Sequence, residues 1–192
     1  MAVKQKPASK IILGIDPGTV VMGIAIVRVE DKKISLIYLD SIQMQWQRDL
    51  FERLHLIYNR LVELIQQYRP DELAIEAPFY GKNVQSMLKL GRAQGVAITC
   101  ALQFDMPVHE YSPKKVKQSI TGNGNASKES VLIMLERIME LTERPRKFDA
   151  SDALAVALCH HYQMQSPLAG LGSKGKGWEE YIRKNPDKVQ GL

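Results

Sequence analysis

A mixed α/β sheet of five strands, in the order 3-2-1-4-5 with strand 2 antiparallel and helices on both faces, is the architecture this sequence predicts. Three observations lead there. β-rich runs at residues 11–16, 21–28 and 34–42 are joined by short polar turns. The apolar period then switches to 3.6 residues over 50–68. Beyond that point short apolar runs alternate with helical stretches, the pattern of helical crossovers in a mixed sheet.

Each element has its own signal. Pro17-Gly18-Thr19 separates the first two runs and Glu30-Asp31-Lys32-Lys33 precedes the third, so the first three strands form an antiparallel meander. Leu50, Leu54, Ile57, Leu61, Leu64, Ile65 and Tyr68 make the apolar stripe of an amphipathic helix that Arg69-Pro70 ends. Residues 73–76 form strand 4, expected beside strand 1 and parallel to it. Asn83 caps a helix over 83–103, in which Gly91 and Gly95 lie one turn apart. Glycines inside a helix cost stability, which points to close backbone packing there.

A short strand at 108–111 leads to Ser112-Pro113, a cap followed by a proline at the first helical position. The loop Thr121-Gly122-Asn123-Gly124-Asn125 follows, and Ser127 opens a helix carrying Leu132, Leu135, Ile138 and Met139. The last helix spans 149–164. The organisation expected is a flexible basic N-terminus (1–10), one folded domain (11–165) and a Gly/Lys-rich tail (166–192) with a docking segment near Trp178 and Tyr181.

Composition narrows the class. An apolar share of 45% and a charged share of 24% are ordinary for a globular chain. No apolar stretch approaches the roughly 20 residues that span a bilayer, and the N-terminal lysines have no apolar segment behind them. A cytoplasmic protein with no membrane partner is expected. Cys100 and Cys159 lack metal-like spacing and read as reduced core thiols. The net charge of +5 leans toward a polyanionic partner. Lys82, Lys89 and Arg92 follow strand 4, and Lys114, Lys115, Lys117 and Lys128 bracket the glycine-rich loop. Singly these are solvated surface charges; together with nearby acids they favour nucleic acid.

Four acids stand at apolar edges: Asp16 after Ile11-Ile12-Leu13-Gly14-Ile15, Glu76 after Leu73-Ala74-Ile75, and Asp149 and Asp152 around the start of Ala153-Leu154-Ala155-Val156. A carboxylate in such a setting needs a partner. A divalent, oxygen-preferring cation serves several at once. Asp16 and Glu76 fall at the carboxyl ends of neighbouring parallel strands, where open α/β sheets bind ligands. Asp149 and Asp152 share a helix face. Their competing reading is helix capping, with Asp149 as N-cap and Asp152 at the third helical position. Asp16-Pro17-Gly18-Thr19 also matches the phosphate loop of actin-like ATPases, but the chain lacks the length for their second lobe.

The segments Ile12-Leu13-Gly14-Ile15-Asp16-Pro17-Gly18, Ala74-Ile75-Glu76, Lys89-Leu90-Gly91-Arg92-Ala93-Gln94-Gly95-Val96-Ala97 and Asp149-Ala150-Ser151-Asp152-Ala153-Leu154-Ala155 occur in this order. Together they closely resemble the bacterial RuvC Holliday-junction resolvases, of the ribonuclease H-like fold. The resemblance covers roughly residues 10–163. It implies that Asp16, Glu76, Asp149 and Asp152 are catalytic acids holding Mg²⁺, or alternatively Mn²⁺, as a pair of ions. It also implies that Phe79 meets bases near the junction centre and that Lys117 and Lys128 contact DNA near the scissile phosphate. Lys82 and Lys114 join them as basic contacts. Arg92 binds a backbone phosphate or pairs with a Glu across a dimer. Phe79 has a rival in Tyr80 beside it, and Ala77-Pro78 before it departs from the family pattern.

The resemblance further implies a homodimer built on the glycine-bearing helix, four-way junction DNA as substrate, nicks leaving 5′-phosphate ends, and RuvA–RuvB as partners. Another ribonuclease H-like nuclease acting on RNA–DNA hybrids or branched DNA, and a junction-binding module without catalysis, stay open as alternatives. His109, His160 and His161 read as structural or surface residues, because no local spacing groups them.

Overall fold

A computed structural model of the chain describes residues 9–31, 33–78, 83–139 and 148–165. Its elements follow in the order β1 (Ser9–Asp16), β2 (Val21–Glu30), β3 (Lys33–Gln43), α1 (Leu50–Tyr68), β4 (Glu72–Glu76), α2 (Val84–Gln103), β5 (Val108–Tyr111), α3 (Pro113–Thr121), α4 (Lys128–Met139) and α5 (Phe148–Gln165). The sheet order is β3-β2-β1-β4-β5, with β2 antiparallel to β1 and β3, and β4 parallel to β1 and β5. Both the expected order and the expected strand directions hold. β1 starts two residues before its apolar run because Ser9 and Lys10 still pair with Glu30 and Val29.

The helix ends are set by local chemistry. Asp49 caps α1 by accepting from the Glu52 N–H at 2.9 Å, and Arg69 closes it in the left-handed region (φ 48°) before Pro70. Asn83 caps α2 through the Ser86 N–H at 3.0 Å. Ser112 and Pro113 start α3, and Gly122 ends it at φ 77°, a conformation glycine takes without strain.

Alternation along paired strands sorts side chains onto two faces. Leu13, Ile15, Ile24, Ile26, Leu73 and Ile75 pack against Ile57, Leu61 and Leu64 of α1 and Ala93, Ala97 and Cys100 of α2. Truncating one of these aliphatic side chains to alanine costs about 2–5 kcal/mol. The opposite face carries Ile12, Gly14, Ala25 and Ala74, and α5 lies upon it through Ala153 and Ala157 over Gly14. Helices therefore cover both faces, as expected. Cys100 and Cys159 are buried and free.

The two glycines of α2 have no packing neighbour among the described residues. A Cβ built on Gly91 or Gly95 meets nothing within 4 Å, so neither glycine serves close packing among the described residues. Both lie on an exposed stripe of α2 with Arg92. The face of α2 that does pack uses Ala93, Gln94, Ala97, Cys100 and Ala101 instead.

Contacts divide the chain into a unit ending at His161 and a second covering Tyr162–Leu192. The whole tail 166–192, with its docking segment, lies outside the described residues, as do residues 1–8.

Candidate active site

Asp16 is the last residue of β1 and Glu76 the last of β4, each one step past the parallel pair Ile15 and Ile75. Both share a sheet face with Gly14 and Ala74, so their side chains belong to the α5 side. The sequence places them at this edge; two glycines bring α5 down to meet them. A Cβ on Gly14 would collide with the Ala153 carbonyl and come within 2.8 Å of the Ala157 Cβ. One on Gly23, the β2 partner of Asp16, would collide with the Asp149 carbonyl. With no Cβ at either position, the first turns of α5 rest directly on the strands.

Asp16, Glu76 and Asp152 line one cavity of about 220 Å³ with Lys117 of α3 and Lys128 of α4. Pro113, Val116, Val131 and Ala155 supply its apolar wall. Lys128 Nζ donates to Asp152 Oδ2 at 2.5 Å. Asp149 stands in the first turn of α5, because the helix begins at Phe148; it is not the N-cap. Its charge reaches Asp16 and Asp152, although it is not among the residues lining the cavity.

The electrostatics of the cavity work against its own acids. Burial first, then repulsion from Glu76, Asp152 and Asp149, pushes the Asp16 carboxyl from 3.8 up to about 8, against the pull of Lys128. Burial and Asp152 push Glu76 from 4.5 up to about 7, with Lys128 and Lys117 opposing. Asp152 is also raised, by burial first, and Lys128 holds it back. The free site therefore disfavours its own charge, and that repulsion is what a cation relieves. An oxygen-only donor set suits a hard cation such as Mg²⁺ or Mn²⁺. No three of the cavity's carboxylates bring ligand oxygens within 4.8 Å of one another. Among the described residues, only Glu72, His109 and His160 bring three ligand atoms within 4.8 Å of one another.

The other basic candidates divide. Lys114 and Arg92 are exposed and lie outside the cavity lining. Phe79 and Lys82 lie outside the described residues. Sequence reasoning missed Gly14 and Gly23, whose role appears only once α5 is in place. It also missed Gln94, buried on α2, whose side-chain amide donates to Glu110 Oε1 at 2.8 Å and lies 3.5 Å from the Glu76 carbonyl. That contact ties α2 to the strand end carrying Glu76.

Comparison with known proteins decides the family. The model of the family described as "Crossover junction endodeoxyribonuclease RuvC" matches residues 12–160, which include all four acids. This chain belongs to the RuvC family. The RuvC of Christiangramia forsetii is 50% identical over 183 residues, covering 95% of this chain and 94% of the relative. That of Cytophaga hutchinsonii is 50% identical over 185 residues, covering 96% and 90%. Among solved structures, T. thermophilus RuvC in complex with a Holliday junction substrate superposes with a TM-score of 0.75 at 34% identity, over 80% of this chain and 93% of that one. The yeast mitochondrial resolvase Ydc2, at 15% identity and a TM-score of 0.56, shares the fold.

Proposed function

We propose that this chain is a metal-dependent endonuclease that resolves four-way (Holliday) DNA junctions by paired symmetric nicks in recombination and repair. The observation that carries this reading is the meeting of Asp16, Glu76, Asp152, Lys117 and Lys128 in one cavity of a RuvC-family chain. Asp16, Glu76, Asp149 and Asp152 would hold a pair of Mg²⁺ ions, with Mn²⁺ as the alternative. When bound, such ions activate water and stabilise the leaving oxygen of a phosphodiester.

The protein's own groups do the rest. Lys117 and Lys128 place ammonium groups beside the acids, where they hold a backbone phosphate and offset charge that grows in the transition state. The wall of Pro113, Val116, Val131 and Ala155 limits water and strengthens those interactions. Lys114 and Arg92, both exposed, extend the basic surface toward the DNA backbone. Phe79 and Lys82 follow Glu76 closely in the chain, and an aromatic there stacks on an unpaired base for about 1–3 kcal/mol.

A homodimer suits the substrate, since one two-fold operator presents both opposed strands to equivalent sites. The exposed Gly91, Arg92 and Gly95 stripe supports α2 as its contact, because glycines there let a second backbone approach. RuvA–RuvB would then deliver the junction, in the cytoplasm. No helix among the described residues is long and apolar enough to cross a membrane.

The test incubates the protein with a mobile four-way junction and with an RNA–DNA hybrid, each with and without Mg²⁺. Paired nicks at symmetric positions in the junction alone are expected. Hybrid cleavage would replace this reading with a ribonuclease activity, and tight junction binding without nicks would leave a binding module.

A further inference from the structure

The same face of the sheet carries a second cluster, at the opposite end of α5. Glu72 begins β4, four residues before Glu76 and roughly 13 Å along the strand at about 3.3 Å per residue. His109 lies opposite Ala74 on β5 and shares its face. His160 lies two turns beyond Asp152 on α5, about 12 Å along the helix axis at 1.5 Å per residue. The stripe Ala153, Ala157, His160 that rests on the sheet thus ends in an imidazole.

The contacts there are specific. His160 Nε2 is 2.5 Å from Glu72 Oε2, and His160 Nδ1 is 2.7 Å from the Tyr111 hydroxyl. Lys10 Nζ binds the other Glu72 oxygen, Oε1, at 2.5 Å. The His109 and His160 rings stack with centroids 4.5 Å apart. His109 Nε2 is buried and has no hydrogen-bond partner among the described residues. Glu72, His109 and His160 each offer one ligand atom, all within 4.8 Å of one another, and the buried His109 Nε2 is a polar atom awaiting a partner.

We propose that Glu72, His109 and His160 form a second metal site, for a divalent first-row transition ion of the Zn²⁺ type, which clamps β4, β5 and α5 together. Two imidazoles and one carboxylate are the donor set such ions take, and the nitrogen donors disfavour Mg²⁺. The surroundings are those of a ligand set. Lys10 orients the carboxylate from its outer oxygen, and Tyr111 orients His160 from its far nitrogen. The ion takes the place of the proton between His160 Nε2 and Glu72 Oε2. The imidazole proton then resides on Nδ1 and is donated to the Tyr111 oxygen, so the ring stays neutral. The site is independent of the nuclease reading.

The test uses the full chain, freed of metal by chelation, with Asp16→Asn and Asp152→Asn to silence the acidic cavity. Titration with Co²⁺ should show one equivalent bound with the visible absorption of a low-coordinate nitrogen/oxygen site, and Zn²⁺ should displace it and raise the melting temperature. His109→Ala, at a half-buried position that leaves His160 in place, should lose the Co²⁺ band and the Zn²⁺ shift while keeping its fold. Tyr111→Phe should weaken binding by roughly 10–100-fold. In an otherwise native chain, His109→Ala should keep Mg²⁺-dependent junction cleavage. No bound equivalent in the silenced protein, or equal Co²⁺ binding with and without His109, overturns the site. Unchanged affinity in Tyr111→Phe overturns the assigned ligand geometry.

Discussion

Lys128 Nζ donates to Asp152 Oδ2 at 2.5 Å, so a side chain expected to meet DNA is also the counter-ion of one acid of the cavity. Burial pulls the Lys128 ammonium toward neutrality, but the bond to Asp152 and the negative charges of Asp152, Asp16 and Asp149 together outweigh it and raise its pKa. The lysine is therefore held at the cavity before any phosphate arrives, with little rearrangement needed to reach one.

Replacing Lys128 with alanine separates those two roles. Removing a cation from the acidic cluster should tighten apparent Mg²⁺ binding, because the acids then feel more uncompensated charge. The maximal cleavage rate should fall by roughly 10²-fold, the usual loss for one electrostatic donor at a reacting centre. Mg²⁺ titrations of junction cleavage measure both. Weaker apparent Mg²⁺ binding in Lys128→Ala would contradict the counter-ion role.

Asp16→Asn should abolish cutting yet leave junction binding intact, since the basic surface is untouched. The metal-free variant should also be more stable than the parent near pH 8, by about 2 kcal/mol, because it no longer buries a repelled charge. Calorimetry in chelator checks stability and a gel-shift assay checks binding. Equal loss of binding and cutting would contradict a metal-holding role.

The pH dependence of the metal-free protein has a defined sign. Asp16 and Glu76 ionise near 3.8 and 4.5 when unfolded, but near 8 and 7 in the folded chain. Between those limits the folded state holds more protons than the unfolded state, so stability falls as pH rises. The melting temperature in chelator should therefore decline from about pH 5 to pH 8 and level off above. Mg²⁺ should restore most of the loss, and most strongly at the alkaline end.

Gly23→Ala should displace α5, because its Cβ would collide with the Asp149 carbonyl, a backbone atom that cannot rotate away. A loss of about 3 kcal/mol is expected, with cleavage reduced even where the variant remains folded. Denaturant melts and single-turnover assays at low temperature distinguish the two effects.

Gly91→Ala acts in the opposite direction. Its Cβ meets open space, so the isolated subunit should gain about 0.5–1 kcal/mol of helix stability. If a second copy packs on this stripe, as proposed, the same change should weaken the dimer. Sedimentation across a concentration series reads that difference.

Much of this molecule was legible in its sequence because the signals are local. Period-2 runs, the 3.6-residue stripe of α1, the Asn83 cap and the Ser112-Pro113 start each depend on neighbours within a few residues. Asp16 and Glu76 could be placed at one edge because strand order follows from connection length and handedness. What packs on the glycines of α2 was not legible, since a sequence shows that a glycine is tolerated but not which side of a helix is covered. Asp149 was open to a capping reading because a helix start is known only to within a residue or two before its backbone is seen.

The sequence by itself determined the element order, the strand directions and the positions of four acids at apolar edges, because each follows from chain-local patterning and simple topology. Tertiary structure alone decided how closely α5 rests on Gly14 and Gly23, that Lys128 answers Asp152, and that Glu72 meets His160 across 88 residues of chain. Such contacts arise from the packing distance between a helix and a sheet, and no spacing along the chain encodes that distance.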